Sequence, residues 1–224
     1  MRINADYTQR VVETPVSAQW RPSPAPGVER RMLDRIGEEV AVATSVVRYA
    51  PGSRFPVHIH EKGEEFLVLD GVFSDDSGDY GAGSYVRNPP GSSHAPWTDD
   101  GTTIFVKLRQ FDPADLRQFS VDTVTAAWSK GPLPGIEVLE LHAFDSERVE
   151  MLKLESGAKL PARSVPQGEE IYVVEGRITD VHGSYDADTW IRNPCGTAPG
   201  FEAAQASLLW RKSGHLHPQL GPAK

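Results

Sequence analysis

Four side chains between Gly52 and His94 could together hold a metal ion: His58, His60, Glu64 and His94. In an extended strand alternate side chains leave by the same face, so His58 and His60, separated by Ile59, project together. Gly63 permits a tight reversal, after which Glu64 enters the apolar run Phe66-Leu67-Val68-Leu69 facing the same cavity. His94 arrives from another strand. Three imidazoles and one carboxylate suit one divalent transition metal per chain, zinc or iron foremost, with manganese and nickel also compatible. Four ligands grouped on one side leave positions open for water, an oxidant or another small-molecule ligand.

The elements that must position these residues occur twice. Gly63-Glu64-Glu65 returns as Gly168-Glu169-Glu170, a shift of 105 residues, and the same shift carries Gly52 to Gly157, Pro56 to Pro161, Gly71 to Gly176, Tyr80 to Tyr185 and Arg87-Asn88-Pro89 to Arg192-Asn193-Pro194. Further upstream, Val12-Glu13-Thr14 before Trp20 is echoed by Val121-Asp122-Thr123 before Trp128. Pro26-Gly27-Val28-Glu29 recurs as Pro134-Gly135-Ile136-Glu137, now displaced by 108, so the second copy is three residues shorter ahead of its main motif. The expected organisation is two domains, residues 1–120 with an intact metal site and 121–224 with a degenerate one, divided near Ser120.

Strands are expected over Val40 to Tyr49, Glu65 to Asp70, Ser84 to Arg87 and Thr103 to Leu108, which are short, rich in β-branched or aromatic residues and bounded by Gly, Pro or Asp. Counterparts fall at Met151 to Leu154, Ile171 to Val174, Thr189 to Arg192 and Ser207 to Trp210. Pro113 to Gln118 is expected to form at most one helical turn, and Arg21 to Gly27 an extended connector. The fold class that follows is all-β, two tandem jelly-roll-like barrels whose closure protects their strand edges.

Duplication supplies an internal control. What both copies keep serves the fold, and what one alone keeps is free to do chemistry. At the ligand positions the second copy has Arg163 for His58, Val165 for His60 and Pro199 for His94, and only Glu169 remains. An Arg163–Glu169 ion pair is expected in place of a metal.

Arg87-Asn88-Pro89 stands in both copies and reads as strand end plus turn. Tyr49, Phe66, Tyr85 and Trp97 flank the ligands and either line a pocket or pack in the core. Strand alternation turns Glu65 away from the metal. His215-Leu216-His217 repeats the His-x-His spacing in a Gly- and Pro-rich tail without partners, and Cys195, after a proline, reads as a small buried residue.

Bulk properties place the chain among globular proteins: 224 residues, 39% hydrophobic and a mean hydropathy of −0.39. No apolar run approaches a membrane span, and the opening Met1-Arg2-Ile3-Asn4-Ala5-Asp6 has no signal-peptide character, so neither a membrane partner nor export is expected and a cytoplasmic location follows. One cysteine excludes a disulfide framework and a Cys-rich zinc module. A net charge of −8 argues against nucleic acid as a partner.

Gly52, His58, His60, Glu64 and Gly71 meet in full the first cupin signature, Gly-x5-His-x-His-x3-Glu-x6-Gly, and Gly83, Pro89, Gly91 and His94 meet the second, with Thr98 where Asn is usual. Within the cupin superfamily, the runs Pro51 to Tyr80, Tyr85 to Pro96 and Val106-Lys107-Leu108 resemble the cupin of ChrR-type anti-sigma factors. That resemblance implies His58, His60, Glu64 and His94 as ligands of a divalent metal, commonly zinc, and a part in sensing singlet oxygen or organic hydroperoxide through a regulatory protein partner. The helical zinc domain by which ChrR-type proteins hold a sigma factor has no counterpart here, so anti-sigma activity by that route is not expected. Related cupins include iron dioxygenases acting on diketones and hydroxyaryl ketones, which is the alternative reading. Cupins often pair, so a homodimer is a further expectation.

Overall fold

Apolar residues alternating with polar ones build a molecule of antiparallel strands; the computed structural model describes residues 1–216, and among these there is no helix. Two compact units form, one of residues 1–3 and 18–126, the other of residues 4–17 with 127 onward. The boundary expected near Ser120 is therefore not a single cut. Val11–Glu13 pairs with Trp190–Asn193 of the second unit, while its repeat counterpart Phe119–Asp122 pairs with Ser84–Asn88 of the first. Each repeat's opening strand completes the sheet of the other.

In the first unit the main sheet runs Arg2–Ile3, Val28–Gly37, Ala41–Tyr49, Thr102–Leu108, Glu64–Asp75, Ser84–Asn88, Phe119–Asp122. A separate pair, His58–Ile59 with Ser93–His94, lies off this sheet. The second unit repeats the order from the long hairpin onward with Ile136–Phe144, Glu147–Leu154, Ser207–Ser213, Glu169–Glu175, Trp190–Asn193 and Val11–Glu13, while Ser129–Lys130 pairs with Ile136–Phe144 at its outer edge. This is the expected all-β, double jelly-roll architecture.

The cores show why the copies fold alike. Phe66, Val68, Phe73, Val86 and Ile104 cluster inside the first unit, and the residues 105 further on, Ile171, Val173, Ile178, Ile191 and Leu209, cluster inside the second. Burying each such side chain stabilises its unit by roughly 1.5–3 kcal/mol. Gly63 takes φ +78, and a Cβ there would meet the Phe111 ring at 2.4 Å; Gly168 takes φ +67 and would meet Leu216 at 2.6 Å. The covering residues, Phe111 and Leu216, are again 105 apart.

The two longest strands that escape the pattern reading are Val28–Gly37 and Ile136–Phe144, the first strands of long hairpins. Val28–Gly37 carries Arg31, Asp34 and Arg35, all buried, which blurs its alternation. The three-residue difference between copies falls in these hairpins. Gly37↔Ala41 closes the first around residues 38–40, whereas Phe144↔Glu147 closes the second around 145–146, one ladder pair and one loop residue shorter. Arg21–Pro22 is not a connector but pairs with Val28–Gly37. Residues 113–118 hold a single turn and no helix: the Asp115 N–H donates to the Asp112 carbonyl at 3.0 Å, and the Asp112 carboxylate accepts from the Ala114 N–H at 2.8 Å.

Candidate metal centre

Register brings the histidines together. His58 lies directly opposite His94 in their antiparallel pair, so the two rings stand on one face with centroids 4.8 Å apart. His60 continues the segment and is tied to the other by backbone bonds from His60 N to Ser92 O and from Gly91 N to His60 O, both 2.9 Å. Its ring lies 4.6 Å from that of His94 and 5.1 Å from that of His58. The Gly63 turn then delivers Glu64 onto its strand, with Oε2 at 3.3 Å from His60 Nε2 and 3.7 Å from His94 Nε2.

Each imidazole has its Nδ1 engaged from behind. His58 Nδ1 lies 3.2 Å from the Pro56 carbonyl, which can only accept. His60 Nδ1 lies 3.0 Å from Ser92 Oγ, whose own hydrogen goes to the Pro89 carbonyl at 2.7 Å, so this oxygen accepts as well. His94 Nδ1 lies 3.0 Å from Asp75 Oδ2. Nδ1 is therefore the donor in each ring, which leaves Nε2 as the nitrogen available to a ligand; one ring nitrogen from each of the three lies within 4.8 Å of the others. His60 Nε2 is buried and without a hydrogen-bond partner. A buried orphan acceptor among clustered ring nitrogens is what a cation would satisfy, so the residues fit a metal ion.

Electrostatics agrees. Burial, helped by the neighbouring His94 and His58, pushes the His60 pKa down to about 3, and burial lowers that of His94 despite Asp75. Both rings are neutral near pH 7, as ligands must be. Burial raises Glu64 to about 7, opposed by the hydrogen bond from Asn88, whose Nδ2 is 3.4 Å from Oε2. A cation beside it would favour the ionised carboxylate.

Of the flanking aromatics, Tyr85 faces away: its hydroxyl and Arg87 Nη1 both donate to Glu65, which strand alternation correctly turned from the site. Arg87 also pairs with Asp115, so in the first copy the arginine of Arg-Asn-Pro is a buried ion-pair anchor as well as a strand end. Phe66 belongs to the core. Tyr49 lies beside the site, where burial and the Glu64 charge hold its phenol well above the usual range, and its ring packs edge-on against Phe55 and Phe73, 5.2 and 6.1 Å away. Trp97 bridges Ser74 and Arg54 through its backbone. Residues overlooked in the sequence are Asp75, Ser92 and Asn88. The signal for Asn88 was there, because the pair Glu64 and Asn88 recurs as Glu169 and Asn193, hydrogen-bonded at 2.9 Å.

In the second unit Arg163 pairs with the buried Glu169, as expected. The ladder has also slipped. Arg163 lies opposite Ala198 rather than Pro199, one residue out of step with His58 opposite His94. Two expectations are corrected. His215 is not partnerless: it is buried, with Nε2 3.2 Å from Glu170 Oε1, because Gly214 turns the chain back into the fold; His217 lies outside the described residues. Cys195 is exposed, not buried, on the turn after Pro194, its thiol 3.3 Å from the Leu216 carbonyl.

A model of the ChrR cupin-like domain matches residues 8–112 and again residues 116–217. No curated protein matches. Among solved structures, the chain is similar to a protein of Nostoc punctiforme PCC 73102 described provisionally as a dioxygenase (18% identity, 93% of this chain and 84% of that one, TM-score 0.77). It is also similar to protein Ylba from E. coli (13%, 92% and 91%, 0.71). A third is Bacillus subtilis oxalate decarboxylase, an enzyme with Mn(II) centres (12%, 92% and 77%, 0.63). At these identities the likeness shows the fold. Among the described residues no helix is long and apolar enough to cross a membrane.

Proposed function

This chain belongs to the ChrR cupin-like domain family, with both repeats matching its model, and from that premise we propose that it is a regulatory protein that senses a small ligand or oxidant through one metal ion in its N-terminal unit. His58, His60 and His94, through Nε2, and Glu64, through its carboxylate, would hold the ion. The observation that carries this reading is the cluster of three imidazoles with Nδ1 facing acceptors, two of which, His60 and His94, place Nε2 beside the Glu64 carboxylate. A divalent zinc or iron ion bound there supplies a Lewis-acidic centre with open positions for an incoming oxygen ligand. His58 is exposed while His60 and His94 are buried. The open side of the centre is therefore the His58 side, and the buried side holds the ligands rigid. A change in ligation at His58 would reach the surface segment that carries exposed Val57 and Ile59, where a regulatory protein partner could read it.

The aromatic packing favours a second reading, a non-haem iron dioxygenase acting on a diketone or hydroxyaryl ketone. Tyr49, Phe55 and Phe73 form an aromatic cluster, with the Phe73 ring 5.8 Å from that of His94, where the second unit has Leu154, Leu160 and Ile178. Aromatic walls suit a planar, apolar-bodied substrate, and the similar Nostoc protein carries a dioxygenase description.

The test is elemental analysis of protein purified without a nickel column, followed by oxygen-uptake assays on diketones and hydroperoxide titration. About one zinc per chain, with no turnover and a conformational response to hydroperoxide, is the expected result. About one iron with oxygen uptake selects the dioxygenase, and no metal under either supply overturns both.

A further inference from the structure

The Asp75 carboxylate divides its two oxygens between two tasks. Oδ1 accepts from the backbone N–H of Ser77 at 2.8 Å and lies 3.4 Å from the Tyr80 hydroxyl, closing the turn after Glu64–Asp75. Oδ2 takes no part in that turn and faces His94 Nδ1 at 3.0 Å.

The second copy shows which task belongs to the fold. Asp180 stands 105 residues on, and its Oδ1 accepts from the N–H groups of His182 at 2.7 Å and Gly183 at 3.2 Å and from the Tyr185 hydroxyl at 2.8 Å. The turn is the same. Its Oδ2, with Pro199 where His94 would be, instead takes the Arg10 guanidinium at 2.7 Å. Oδ1 thus does structural work in both copies, whereas Oδ2 does what the local site requires.

We infer that Asp75 is a positioning residue of the metal centre: through Oδ2 it holds hydrogen on His94 Nδ1 and so presents the His94 Nε2 lone pair to the metal. It differs in kind from the groups behind the other two ligands, because Pro56 offers a carbonyl and Ser92 a hydroxyl, while Asp75 offers a carboxylate. A carboxylate behind a ligating imidazole fixes its tautomer and orientation and makes it a more basic ligand. Asp75 is itself buried, so this hydrogen bond is made away from competing water.

The inference rests on the metal reading above, and the test separates the two. Asp75→Asn keeps the shape and lets the amide oxygen accept from Ser77, but turns an NH2 toward His94 Nδ1, where two donors would oppose each other. His94 must then move its hydrogen to Nε2, the nitrogen the metal needs. Asp180→Asn makes the same change in the turn of the other copy and is the control. Long-range ¹H–¹⁵N NMR of the metal-free protein reads the tautomer, and competition with a chromophoric chelator reads zinc affinity. Expected are hydrogen on Nδ1 of His94 in the wild type, hydrogen on Nε2 in Asp75→Asn with zinc affinity lower by about ten- to a hundredfold, and unchanged zinc affinity in Asp180→Asn.

Equal zinc affinity in wild type and Asp75→Asn overturns this inference alone. A wild type that takes up no zinc sinks the metal reading and this inference with it. Hydrogen on Nε2 of His94 in the wild type overturns the inference even if Asp75→Asn does not fold.

Discussion

Replacing Glu64 by glutamine should stabilise the metal-free protein while weakening its hold on metal. Glu64 is buried, and its pKa rises from 4.5 to about 7 on folding. Below pH 4.5 the group is protonated in both states and contributes nothing. Between pH 4.5 and 7 the unfolded chain releases the proton and the native one keeps it, so stability falls as pH rises, by about 1.4 kcal/mol per unit. Above pH 7 the loss levels off at about 3 kcal/mol. His60, held near 3 against 6.5 unfolded, acts oppositely between those values, and its contribution is common to both proteins. The assay is urea denaturation in EDTA at pH 5, 6, 7 and 8, taking the stability of Glu64→Gln minus that of wild type. The difference should climb by about 2–3 kcal/mol from pH 5 to 8. With zinc in excess the order should reverse, because the glutamine variant loses the anionic ligand. A difference independent of pH would refute the claim that Glu64 is held desolvated at this site.

Gly63→Ala should cost more than about 2 kcal/mol and lower zinc affinity, since a Cβ at φ +78 meets the Phe111 ring and displaces the turn that delivers Glu64; thermal melts and chelator competition check it, and a silent variant would contradict the packing. Arg163→Met should destabilise by about 3–5 kcal/mol by stranding the buried Glu169 carboxylate, with most of that recovered when Glu169→Gln is added; a double variant no more stable than the single would show that the ion pair is not the cause. Placing histidine at Arg163, Val165 and Pro199 together should leave the metal count at one per chain, because the slipped ladder sets 163 opposite 198 rather than 199. Two metals per chain by elemental analysis would show that the register follows the side chains.

Local sequence determined a good deal. The repeat of 105 residues, the fold class and the grouping of His58, His60, Glu64 and His94 were all legible, because glycine turns and strand alternation are set by nearest neighbours. The internal comparison also anticipated the Arg163–Glu169 pair. Less legible were strands whose buried residues are charged. Val28–Gly37 hides Arg31, Asp34 and Arg35, and no hydrophobic period announces it. His215 looked like a loose tail residue for a related reason, since its partner Glu170 lies 45 positions away.

Tertiary structure alone decided three things. It sent each repeat's opening strand, Val11–Glu13 and Phe119–Asp122, to the sheet of the other repeat, a pairing that no local signal encodes. It set Asp75 behind His94, Ser92 behind His60 and the Pro56 carbonyl behind His58, and thereby chose which nitrogen of each ring is left free to ligate. It also slipped the second copy's ladder by one residue, so that the degenerate site differs in register as well as in residue type. The physical reason is common to all three. Spacing along the chain fixes which face a side chain leaves by, but partners across a sheet are chosen by the whole packed fold, where a shift of one residue reverses every side chain.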